Sequence, residues 1–254
     1  MLKVRFFGTS AASPSPSRGF SCIGVYDDSS HITLLDCGDG SVHRLVKSEV
    51  DFDAISEIMI THYHSDHVTG LTSIIETMGM RKRSAKLSVY GPPGLKEYFA
   101  TVQKITSVAY GRRFELELNE ILPGAKVRTL GGIDVSAFRM DHTIPCIGFR
   151  LEKEGRVLSY TGDTQPCESE FSLAKNADLL VHEATYLQKD VEKARPPRHS
   201  TAKEAGEIAS SSHVSNLVLT HVSESHETPD QMLQETVPAF ERTVVAYDGM
   251  EFVI

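Results

Sequence analysis

Along the chain, short runs rich in β-branched and aromatic residues alternate with stretches whose apolar positions recur every three to four residues. The first kind reads as strands: Lys3–Phe7, Ile32–Asp36, Glu57–Thr61, Leu87–Tyr90, Asp134–Met140, Ile147–Leu151, Val157–Thr161, Leu179–His182, Leu217–Thr220 and Thr243–Ala246. The second reads as helices over Val68–Met78, Leu95–Gln103, Ala202–Ser211 and Pro229–Phe240. Ser200 or Thr201 is placed to cap the third, with Glu204 completing a capping box, and Thr228 precedes the proline that opens the fourth. Hairpin signals at Gly131-Gly132 and Glu154-Gly155 mark the strand-rich first part, whereas strands and helices alternate later. This order predicts an α/β fold in which two mixed sheets lie face to face with helices outside. No linker or low-complexity tract divides the chain, so residues 1–254 read as one domain. The Ser/Pro segment Ser10–Ser17 is too short for a linker and reads as a lip of a site.

Composition narrows the class. Hydrophobic residues make up 40% and charged residues 24%, as in a soluble globular protein, and no apolar run is long enough to span a bilayer. The N-terminal segment lacks the apolar stretch of a signal peptide, so the expected location is cytoplasmic. Cys22, Cys37, Cys146 and Cys167 form no C-x-x-C pair and read as free thiols. A net charge of −8 argues against a surface that grips nucleic acid as a whole. RNA contacts would need local patches such as Arg81-Lys82-Arg83 or Arg195 with Arg198, each also readable as a solvated loop.

The strongest chemical signal is Thr61-His62-Tyr63-His64-Ser65-Asp66-His67, three histidines and an aspartate between a strand and a helix. Imidazole nitrogen and carboxylate oxygen are donors suited to zinc and similar divalent ions. Further candidates sit at other strand ends: His142 in Asp141-His142, Asp163 in Gly162-Asp163-Thr164, and His221 in Leu219-Thr220-His221.

The H-x-H-x-D-H pattern resembles the metal signature of the metallo-β-lactamase superfamily. That resemblance implies a four-layer αββα sandwich and a centre for two divalent ions, zinc first, with manganese or iron as alternatives. His62, His64 and His142 would hold one ion, Asp66, His67 and His221 the other, and Asp163 would bridge them. Asp36, in a D-x-G turn, would orient a ligand histidine from beneath. The segments His182-Glu183-Ala184-Thr185, His199-Ser200-Thr201, Gly8-Thr9-Ser10 and Tyr90-Gly91-Pro92 are similar to the ribonuclease Z branch over nearly the whole chain. In that branch Glu183 would support His199 in catalysis, with Asp66 doubling as ligand and proton acceptor; His182 reads as a packed residue. A homodimer is also implied.

One departure stands out. The usual short-form ribonuclease Z carries a long tRNA-clamping arm between the strand ending in Gly148-Phe149-Arg150 and the strand before Gly162-Asp163-Thr164. Here Leu151–Arg156 leaves room only for a hairpin turn. The expected activity is therefore phosphodiester hydrolysis by a hydroxide held between two metals, on a small diester or RNA. The alternatives are tRNA 3′ processing without the arm, hydrolysis of another ester, thioester or lactone, and a non-catalytic metal-binding module.

Overall fold

The computed structural model describes residues 1–106, 113–224 and 229–254. The first half contributes β1 (Lys3–Gly8), β2 (Cys22–Tyr26), β3 (Ile32–Leu35), α1 (Ser41–Lys47), β4 (Ile55–Met59), α2 (Ser65–Val68), α3 (Gly70–Met80), β5 (Leu87–Gly91), α4 (Leu95–Thr106) and β6 (Leu116–Glu120). The second half contributes β7 (Lys126–Arg128), β8 (Asp134–Met140), β9 (Cys146–Lys153), β10 (Arg156–Tyr160), α5 (Glu168–Ala174), β11 (Leu179–Glu183), α6 (Val191–Ala194), α7 (Ala202–Ser211), β12 (Leu217–Thr220), α8 (Pro229–Thr236), β13 (Thr243–Val245) and β14 (Glu251–Val253). They build two seven-stranded sheets, ordered β14-β1-β2-β3-β4-β5-β6 and β13-β12-β11-β10-β9-β8-β7. Each is mixed: β1 to β3 pair antiparallel and β3 to β6 parallel, while β7 to β10 pair antiparallel and β10 to β13 parallel.

Alternation along the strands explains the layering. Met59 and Leu35 face one way, into a cluster with Phe149, Leu158, Val181 and Val218 from the other sheet. Their neighbours Ile58 and Leu34 face the other way, onto Leu71 and Ile74 of α3. On the far side, Leu180 and Leu219 pack against Leu173 of α5, Ile208 of α7 and Met232 of α8. Three apolar layers therefore separate four layers of structure, which is the expected αββα sandwich. Strands buried on both faces read as continuous apolar runs, and this is why the central ones stood out. The missed strands β6, β7 and β14 lie at or near sheet edges and are largely half-buried or exposed. β2 was hidden by Gly24, where a Cβ would sit 2.8 Å from the Phe7 ring.

Local chemistry sets the boundaries. Thr201 caps α7, accepting from the Glu204 amide while the Glu204 carboxylate accepts from the Thr201 amide. The predicted Val68–Met78 helix is two helices with a step at Thr69. The helix expected over Pro229–Phe240 ends at Thr236, and the Thr228 cap lies outside the described residues. The β9–β10 connection is the expected two-residue hairpin: Lys153 pairs Arg156, and Glu154 and Gly155 have φ of 51° and 79°. No helix among the described residues is long and apolar enough to cross a membrane.

In the two basic segments, Arg83 and Arg195 are engaged by the fold, while Arg81, Lys82 and Arg198 stay exposed. Arg83 is buried, donating to the carbonyls of Ile55, Ala85 and Lys86, and so ties α3 to β4 and β5. Arg195 pairs with Glu204 at the start of α7. His182 lies on the face of β11 away from its neighbour Glu183. Its Nε2 is 2.7 Å from Glu170 Oε1 and its Nδ1 2.6 Å from the Glu183 carbonyl. Two acceptors require two N–H donors, so the ring is an imidazolium. Burial opposes that charge, and the Glu170 carboxylate reverses the effect, holding His182 above its usual value of 6.5. Its contribution to stability is thus fully present below that value and is lost as pH rises through the raised native one. His182→Leu should cost about 3–5 kcal/mol in urea unfolding near pH 6, the scale for stranding one partner of a buried pair. The deficit should shrink in alkaline solution; a pH-independent deficit would assign the loss to packing alone.

Candidate metal centre

The candidate ligands gather where strands of both sheets end. β4 stops at Met59, and the next residues run extended through His62 and His64 before α2 presents Asp66 and His67. His142 follows β8, Asp163 follows β10 and His221 follows β12. Strand termini suit this task, because rigid ladders fix their backbones while their last side chains face open space. Close packing holds the α2 loop down: a Cβ on Gly38 would lie 2.1 Å from the Asp66 carbonyl oxygen, so only glycine fits. Asp36 and His221 both adopt φ of 57°, left-handed backbone that ordinary residues avoid.

The donors form two groups sharing one carboxylate. In the first, His64 Nδ1 lies 3.1 Å from both His62 Nε2 and His142 Nε2. Asp163 Oδ2 is 3.7 Å and 3.9 Å from those Nε2 atoms. In the second, His221 Nε2 is 3.3 Å from His67 Nε2 and 3.2 Å from Asp66 Oδ2. Asp163 Oδ2 lies 3.3 Å from His67 and 3.4 Å from His221. Donors about 2.0–2.1 Å from a tetrahedral ion stand roughly 3.4 Å apart, so these spacings fit.

Second partners show which nitrogens are free. His67 Nδ1 is 2.8 Å from Asp36 Oδ2. His142 Nδ1 is 3.1 Å from the Arg198 carbonyl. Thr61 gives its hydroxyl proton to Asp36 and so accepts from His62 Nδ1, 3.0 Å away. Thr185 gives its proton to Glu183 and accepts from His221 Nδ1, 2.8 Å away. Each of these four rings therefore carries its proton on Nδ1 and aims an Nε2 lone pair inward. Lone pairs converging at such distances repel unless a cation lies between them. Asp163 Oδ1, buried with no hydrogen-bond partner among the described residues, is the second mark of such a site. Both observations fit divalent metal.

Asp36 is the hub beneath the centre. Besides His67 it accepts from the Thr61 amide and hydroxyl and from the Tyr160 hydroxyl, the last at 2.8 Å. Thr61, Tyr160 and the Arg198 carbonyl were not singled out from the sequence. Their roles depend on distant elements meeting, although Thr61 and Tyr160 flank motifs that were. Thr185 belongs to the H-E-A-T segment, whose glutamate drew attention first.

Glu183 and His199 meet as expected from the resemblance. His199 Nδ1 donates to Glu183 Oε1 at 2.7 Å and lies 4.0 Å from Asp163 Oδ2. Burial presses the imidazolium down, but the Glu183 carboxylate overcomes it and lifts His199 to about 9. Among Cys22, Cys37, Cys146 and Cys167, none is bridged, and the first three are buried.

Residues 31–222 match the model of the Beta-lactamase superfamily domain. The ribonuclease Z of Myxococcus xanthus (strain DK1622) is 31% identical over 301 positions, covering 98% of this chain and 96% of the relative. An alignment of that length against 254 residues leaves more than forty positions of the relative without a counterpart. Among solved structures, the short form of human tRNase Z superposes with a TM-score of 0.84 at 29% identity, covering 99% of both chains. The metallo-beta-lactamase fold protein YhfI from Bacillus subtilis shares the fold, with a TM-score of 0.85 at 22% identity and full coverage of both. With its two sheets, its strand-end donors and this identity along nearly its whole length, the chain belongs to the ribonuclease Z family of the metallo-β-lactamase superfamily.

Proposed function

We propose that the protein is a metal-dependent phosphodiester hydrolase whose centre holds two divalent ions. The observation that carries this reading is the pair of donor groups meeting at Asp163 Oδ2. His62, His64 and His142 would hold one ion and Asp66, His67 and His221 the other, with Asp163 serving both. Zinc fits an all-imidazole and carboxylate set, and manganese or iron would be accepted by the same atoms. Bound there, such ions supply Lewis acidity, neutralising charge on phosphoryl oxygens and making water nucleophilic near neutral pH.

The protein's own groups do the remaining work. Asp36, Thr61, Thr185 and the Arg198 carbonyl fix four imidazoles in one tautomer, so no reorganisation is needed at reaction. Asp66, a carboxylate beside the site of attack, can take a proton from the attacking water. His199, charged through its contact with Glu183, has Nε2 without a partner among the described residues and can give a proton to the leaving oxygen.

A second reading is tRNA 3′ processing, which the ribonuclease Z and tRNase Z names of the relatives favour. Purified protein loaded with zinc or manganese distinguishes the two on a precursor tRNA with a 3′ trailer and on bis-p-nitrophenyl phosphate. The short hairpin predicts turnover of the small diester with the precursor left intact. Trailer removal would establish the second reading, and failure on both would redirect the search to carbonyl and sulfate esters.

A further inference from the structure

A cavity of about 490 Å³ opens directly against His142. Its floor is apolar, from Pro92, Pro93, Leu122 and Ile144, and its rim carries Arg139 and Arg198. Leu122 is 63% exposed there, an apolar surface left in water beside a polar centre. The volume lies within the range of small-ligand sites.

Two features fix this cavity relative to the ligands. Tyr63, between His62 and His64, donates its hydroxyl to the Pro92 carbonyl and stacks on Tyr98 at 6.0 Å. The proline wall is thereby tied to the ligand loop. On the other side, Arg198 has φ of 56°, a strained conformation for a residue with a long side chain. Its Nη1 donates to Asp141 Oδ1 at 3.0 Å and to the His142 carbonyl at 3.1 Å, while its own carbonyl accepts from His142 Nδ1. Asp141 is held in turn by Gln165 Nε2 at 2.7 Å. The guanidinium is thus anchored beside a ligand, yet it stays 49% exposed. Its Nε and Nη2 make no hydrogen bond with the described residues, and Arg139 has no carboxylate partner among them.

Two arginines with free donors above an apolar floor, on a chain of net charge −8, recognise a group that is flat and apolar at one end and anionic at the other. We propose that this cavity is the subsite for the nucleotide adjoining the scissile diester in a single-stranded substrate. The base lies on the Pro92-Pro93-Ile144 wall, and the neighbouring, uncleaved phosphate lies on Arg198 and Arg139. Unstacked bases rest readily on such walls, and arginine forks match phosphate oxygens. The proposal rests on the phosphodiesterase reading and names its substrate class.

The test compares wild type with Leu122→Glu, Arg139→Glu and the double variant Leu122→Glu/Arg139→Glu, all of which leave the contacts between Arg198 and His142 in place. The substrates are a short single-stranded oligoribonucleotide and bis-p-nitrophenyl phosphate, which has no second phosphate. KM for the oligonucleotide should rise at least tenfold with kcat within threefold. The ratio of kcat/KM between oligonucleotide and small diester should fall about tenfold. Parallel losses on both substrates, or an unchanged ratio, would overturn the subsite. Calorimetric titration of the metal-loaded protein with adenosine 5′-monophosphate reads the subsite without turnover. Wild-type binding no tighter than that of the variants overturns it as well. Should neither diester be cleaved while nucleotide binding is lost in the variants, the phosphodiesterase reading fails and the subsite stands.

Discussion

Asp163→Ala should lower kcat on any diester substrate by about 10²–10³-fold, the scale for losing a group that stabilises transition-state charge, and should lower the metal content per chain. The argument is geometric. Asp163 Oδ2 lies within 3.3–3.9 Å of four inward-facing nitrogens drawn from both donor groups. No other residue stands in both of those groups. Its burial and orphaned Oδ1 leave it no other structural task, so truncation should spare the fold better than it spares the site. Elemental analysis beside steady-state kinetics reads both effects. A variant retaining two ions and wild-type turnover would remove Asp163 from the centre, and unchanged urea unfolding is the control for the fold.

His199→Ala should separate proton delivery from metal holding. The metal content should stay at the wild-type level, because His199 Nδ1 is committed to Glu183 at 2.7 Å and the two donor groups that share Asp163 are complete without it. Turnover of a nucleotide diester, whose leaving alkoxide needs a proton, should fall about 10²–10⁴-fold, the range for general acid catalysis. Bis-p-nitrophenyl phosphate, with a leaving group stable as an anion, should lose far less. Equal losses on the two substrates would end the proton-donor role and leave His199 as a binding residue. Glu183→Gln should reproduce part of the effect. Without the Glu183 carboxylate only the more distant Asp163 opposes burial, so the fraction of His199 protonated at neutral pH falls and the pH profile should move to lower pH.

Much of this was legible because the chemistry is local. His62, His64, Asp66 and His67 lie within one strand–turn–helix step, so their convergence follows from short-range geometry. The strands β3, β11 and β12 were readable because burial on two faces leaves a nearly unbroken apolar run, and β8 because its buried and less buried positions alternate. Reading His142, Asp163 and His221 as one set needed a family resemblance, since nothing short-range links them. Outside that resemblance lay interactions made by tertiary contact alone. Tyr160 reaches Asp36 across 124 positions, and the Arg198 carbonyl holds His142 across 56. The tripeptide Arg81-Lys82-Arg83 carries the same lesson in reverse. Charge alone suggested a solvated or RNA-facing loop, whereas the fold threads Arg83 into a cage of carbonyls.

The two-residue turn at Glu154-Gly155 lies at the opposite end of β10 from Asp163. The five residues between them in β10 span roughly 17 Å at the usual strand rise. A loop of any length inserted there would emerge far from the chemistry, and its removal would leave every ligand where it was. Its ends meet across a paired ladder, so lengthening adds only a slowly growing closure entropy. Reach and reactivity are therefore mechanically independent in this architecture. The same catalytic end can serve bulky or compact substrates according to what grows from a turn that never touches them.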